Sequence, residues 1–73
     1  MMKQSRNNKV QVVDIEGYIV HRPASGLSII FSTEEAARQG VVLPLSLIEI
    51  EEQGGRKITV TMPEWLAHEK RLI

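Results

Sequence analysis

Val41-Val42-Leu43-Pro44-Leu45-Ser46-Leu47-Ile48-Glu49-Ile50-Glu51 is the stretch that decides the fold. Before Pro44 the inward set falls on odd positions, Val41 and Leu43. After Ser46 it falls on even positions, Ile48 and Ile50. Side chains of a strand alternate with period two, so one continuous strand cannot change phase by a single residue. Pro44-Leu45-Ser46 therefore predicts a tight turn or a single helical twist that joins two strands.

On the C-terminal side, Gln53-Gly54-Gly55 has turn composition. Lys57 to Met62 then alternates, with Ile58, Val60 and Met62 on one face and Thr59 and Thr61 on the other. On the N-terminal side, Val13, Ile15, Gly17 and Ile19 share a face opposite Asp14, Glu16 and Tyr18. Val10 and Val12 are out of phase with that set, and a bulge near Val12 would reconcile them. Gly17 inside a strand signals a kink or a close backbone approach. Arg22-Pro23-Ala24-Ser25-Gly26 is a turn by composition. Leu27, Ile29 and Phe31 follow on one face, which completes a long hairpin.

Two helices are predicted. Ser32 with Glu35 three positions on forms a capping-box pattern, Ala36 to Gln39 favour helix, and Gly40 is a natural stop. Pro63 suits a first helical residue, with Glu64 near the N-terminus and Lys70 and Arg71 near the C-terminus. Trp65, Leu66, Glu69, Leu72 and Ile73 fall on roughly one side. Trp65 is expected to anchor this helix to the sheet, since a buried Trp covers about 200 Å².

The expected fold is mainly β (α+β): a small, partly open five-stranded barrel with a short inserted helix and a C-terminal helix. Partial closure limits exposed strand edges. Residues 10–73 form one domain. Residues 1–9 carry Lys3, Arg6 and Lys9 with no acid and read as a flexible basic arm.

The segment Leu43-Pro44-Leu45-Ser46-Leu47-Ile48-Glu49, with Val60-Thr61-Met62-Pro63-Glu64-Trp65-Leu66-Ala67, resembles small uncharacterised proteins of phages, prophages and bacteria. The likeness spans roughly residues 10–73, and Pro63 to Ala67 is its most specific part. Those proteins often carry an aromatic where this chain has Val42, and often end Lys-Gly-Leu-Ile where it has Lys70-Arg71-Leu72-Ile73. The resemblance implies a phage or prophage setting and no mechanism. The Pro44–Ser46 corner also resembles the last corner of Src-homology-type small barrels.

Composition excludes several chemistries. The 73 residues contain no cysteine, which removes disulfides and thiolate metal sites. His21 and His68 match no metal spacing, and neither a metal nor a cofactor is expected. No apolar run reaches the ~18 residues of a membrane span. The polar start predicts no signal-peptide core, and the whole reads as cytoplasmic. Nine basic and nine acidic residues give no net charge, which argues against a protein built to grip phosphate backbones.

No enzyme is expected. Asp14 with Glu16, and Glu49 with Glu51, are carboxylate pairs, but they alternate with apolar residues as a solvated sheet face does. Ser25, Ser28, Ser32 and Ser46 form no nucleophile elbow, and Gly54-Gly55 has no phosphate-loop spacing. His21 and His68 read as exposed residues of a turn and a helix.

Three binding readings remain. The first is a non-enzymatic module acting by protein–protein contact as a phage or prophage accessory factor. Its candidate partner-binding residues are Tyr18, Val20, Ile30 and Trp65. Tyr18, Val20 and Ile30 should project outward from the first hairpin, where the C-terminal helix or a partner would cover them. The second is a barrel binding single-stranded nucleic acid through Lys3, Arg6, Lys9, Arg22, Arg56 and Lys57. The third is a structural homodimer, because so small a core invites self-association.

Overall fold

Every alternating segment forms a strand. The computed structural model describes residues 11–73, so the expected arm at residues 1–9, and Val10, lie outside the described residues. The strands are β1 (Val12–His21), β2 (Ser28–Ser32), β3 (Val41–Pro44), β4 (Glu49–Gly54) and β5 (Lys57–Pro63), followed by α1 (Glu64–Glu69). They make one antiparallel sheet in the order β3-β2-β1-β5-β4. The edges β3 and β4 each have one strand neighbour, so the sheet is open and the expected barrel closure is not present.

The corner at Pro44 is where the change of phase places it. Pro44 ends β3, and Leu45–Leu47 form one 3-10 turn leading to β4. Leu45 N–H donates to Leu27 O at 3.0 Å, which ties the corner to the start of the neighbouring strand.

β1 serves both halves of the sheet. Val12 to Tyr18 pair with β5 in unbroken register, and Tyr18 to His21 pair with β2. The bulge lies in the second part, where Ile19 faces Phe31 and His21 faces Ile30, leaving Val20 as the extra residue. The bulge expected near Val12 is absent. Val12 pairs regularly with Pro63 and faces outward, 60% exposed. Its apolar side chain is out of phase because it belongs to the solvent face.

One face of the sheet carries the core. Ile15, Ile29, Phe31, Leu43, Ile58, Val60 and Met62 are buried together with Leu66 and Ala67 of α1. Leu27, expected with Ile29 and Phe31, precedes β2 and is exposed.

The inserted helix does not form. Residues 33–40 are a loop holding one turn, with Ala37 N–H donating to Glu34 O at 3.3 Å. Ser32 Oγ accepts from Glu34 N–H at 3.0 Å, so its hydroxyl closes a local turn. Phe31 and Val41 are Cα partners, which obliges the intervening chain to double back. Gly40 lies so close to the Phe31 carbonyl that a side chain there would overlap it. Nucleating a helix is unfavourable, and two turns cannot offset both constraints.

The C-terminal helix forms with one correction. Pro63 is the last residue of β5 and the residue before the helix (φ −60°, ψ 143°), so the helix starts at Glu64. Glu64 N–H donates to Gln11 O at 2.8 Å, extending the β1–β5 ladder by one step before the chain coils.

Candidate functional site

Antiparallel pairing assembles a solvent face that no single segment displays. Asp14 lies opposite Thr61, and Thr61 opposite Glu49. Two residues along, Glu16 lies opposite Thr59, and Thr59 opposite Glu51. Direct partners on adjacent strands project to the same side of a sheet. Two acid–threonine–acid rows therefore cross β1, β5 and β4 on the face opposite the core, and all four carboxylates are exposed.

Hydrogen bonds hold the middle of this face. Thr61 Oγ1 donates to Asp14 Oδ1 at 2.5 Å, and Gln53 Nε2 donates to Thr59 Oγ1 at 2.8 Å. Tyr18 and Lys57 are partners in the next row. Lys57 Nζ sits 3.2 Å from Glu16 Oε1. The hydrogen bond to Glu16, then that carboxylate's charge and a smaller contribution from Tyr18, hold the Lys57 ammonium above the ordinary lysine range.

At the other end, the row of Val12 and Pro63 borders a groove of about 420 Å³. It opens because β4 joins β5 only at Glu49, the preceding turn through Leu47 lying outside the ladder. Leu47, Ile48 and Met62 also line it, and Glu49 and Thr61 connect it to the acidic rows. Val12 and Leu47 are substantially exposed.

Trp65 follows Pro63 by two residues and is 52% exposed. The expectation that it anchors the helix is overturned. Leu66 and Ala67 are the buried residues of α1, and they seat it on the core face. A six-residue helix presents only a narrow inward stripe, and these two positions fill it.

The other candidates separate. Tyr18, Val20 and Ile30 are half-buried. Ile30 lies opposite Val42 on the outer side, and α1 covers the inner side instead. Arg22 and Arg56 come together around a hollow of about 250 Å³ that also includes Glu52, Ile19 and Ile58. Lys57 is on the opposite face, held by Glu16, so among the described residues Arg22, Arg56 and Lys57 make no continuous track. Lys3, Arg6 and Lys9 lie outside the described residues. His21 and His68 are exposed, and His68 Nε2 is 3.9 Å from Glu64 Oε2.

Among the described residues, no cluster of three or more His, Asp or Glu could hold a metal ion. Among them, too, no helix is long and apolar enough to cross a membrane. In comparisons with known proteins, the chain matches no family model, no curated protein and no solved structure.

The acidic face was partly visible in the sequence, as three short period-two patterns: Asp14 and Glu16, Glu49 and Glu51, Thr59 and Thr61. What joins them is strand register, which one sequence does not display.

Proposed function

We propose that the chain is a non-enzymatic binding module that acts by protein–protein contact, in the setting of a phage or prophage accessory factor. The observation that carries this is Trp65, half exposed on a helix that Leu66 and Ala67 already seat. A large aromatic left half exposed in this way has the character of an interface hot spot. Val12 and Leu47, beside the groove at Pro63, are further exposed apolar residues at this end of the sheet. The phage or prophage setting is supported only by the likeness of Leu43–Glu49 and Val60–Ala67 described above. Nucleic acid is disfavoured by the two acidic rows and by the separation of Lys57 from Arg22 and Arg56.

Immobilised wild-type chain and Trp65→Ala provide the test, with captured proteins compared quantitatively. A protein retained only by the wild type, and then shown to shift Trp65 fluorescence as a purified partner, supports the reading. Absence of any Trp65-dependent partner rejects it.

A further inference from the structure

We infer that the groove beside Val12 and the face it opens onto bind an extended basic segment of a partner protein. In that segment one apolar residue is followed by Lys or Arg at the second and fourth positions beyond it. This rests on the binding-module reading and gives the partner its chemistry.

The groove supplies the apolar anchor point. Val12, Leu47, Met62 and Pro63 are among the residues that line it. It also needs no strand to fill it. Glu64 N–H bonds to β1, so by the alternation of an antiparallel ladder Met62 faces β1 and Pro63 faces the side β4 has left. Proline has no N–H, so no backbone donor is stranded there. The opening is thus stable when empty and accessible to a side chain.

Charge complementarity selects the rest of the occupant. Beyond the groove lie Asp14, Glu16, Glu49 and Glu51. Lys57, in the row beyond Glu16, is already engaged by that carboxylate. Phosphate backbones are repelled by such a surface, and ammonium and guanidinium groups are attracted.

Spacing gives the order of residues. The groove row, the Asp14 row and the Glu16 row succeed one another every two residues, or about 7 Å. An extended peptide presents alternate side chains on one face at the same interval. One apolar side chain in the groove therefore places the second and fourth residues beyond it over the two acidic rows.

Fluorescence anisotropy with synthetic peptides tests this. The probe has the order leucine, serine, lysine, serine, lysine, and is used in both chain directions. Controls replace lysine with glutamate, or leucine with serine. At least one direction of the probe should bind the wild-type chain, more weakly as salt rises, and both controls should lose binding. The exposed double substitution Glu49→Gln with Glu51→Gln should weaken it about tenfold, and Leu47→Ser comparably. Unchanged circular dichroism establishes that both variants are folded.

The inference is overturned if neither direction binds, if the double variant binds as tightly as the wild type, or if a single-stranded oligonucleotide displaces the peptide. A Trp65-dependent partner that still binds the double variant would reject this face and leave the module reading intact. Lack of both partner and peptide binding rejects the two together.

Discussion

Gly17 lies against the ring of Phe31: a Cβ built on the glycine would stand 2.5 Å from Phe31 Cζ and would also overlap the Ser32 carbonyl oxygen. Phe31 is fully buried and cannot swing aside, and the carbonyl belongs to a paired strand. Gly17→Ala should cost about 3 kcal/mol, the upper part of the usual range for overfilling a core. That is a large share of a small domain's stability. Urea denaturation checks it, and a midpoint within error of the wild type would show that β1 and β2 separate more easily than the contact implies.

Trp65 and Leu66 are neighbours with opposite duties. Trp65→Ala should leave the chain folded and cost about 1–2 kcal/mol, the worth of a half-covered indole. Leu66→Ala empties a buried site and should cost about 3 kcal/mol. The native emission of Trp65 should lie between those of a buried and a fully hydrated indole and be quenched by acrylamide. A blue-shifted, protected emission would place the indole in an interface or in the core.

Lys57 and Glu16 give a pH prediction. The folded-state pKa of Lys57 is raised, so the pair's contribution is fully present below the unfolded lysine pKa. It is lost as pH rises through the higher folded value. No change from this pair is expected near neutrality. Glu16→Gln should move the Lys57 titration, followed by NMR at the side chain, down toward the ordinary lysine range. An identical titration curve in the variant would mean the two side chains do not meet in solution.

Pro44 protects an edge. Leu45 N–H points to Leu27, so alternation turns Leu43 toward β2 and leaves Pro44 facing away from the sheet. Pro44→Ala adds an N–H on that free edge beside Val42, which is 47% exposed. The variant should lose only about 0.5–1 kcal/mol, yet associate more strongly as concentration rises. Light scattering over a dilution series decides it, and equal association would leave Pro44 with a corner-forming role alone.

The inward pattern was legible because it depends on period two alone. Ile15, Ile29, Phe31, Leu43, Ile58, Val60 and Met62 are buried as their alternation requires. The Pro44 corner was legible from a change of phase, and Gly17 from its place inside a strand. The helix read from Ser32 and Glu35 failed because a capping pattern is local. It carries no word of Gly40 closing on the Phe31 backbone. Trp65 was misjudged because two helical turns have too few positions for apolar spacing to choose which residue turns inward. The bulge at Val20 and the acidic rows are properties of partnered strands, and partners do not show in a single segment.

The double service of β1 also governs the order in which the chain can assemble. β1 is distant in sequence from β5, the partner of its first half, while β2 and β3 follow it closely. A folding chain can form the β1–β2–β3 meander with Ile15 and Phe31 still uncovered, and must hold one side of β1 open until Lys57 to Pro63 dock. Such an unpaired edge invites association with other chains. Weakening the strand from Lys57 to Pro63 would lengthen that vulnerable interval, and yield of native protein would then depend on how promptly β5 docks as much as on the stability of the finished sheet.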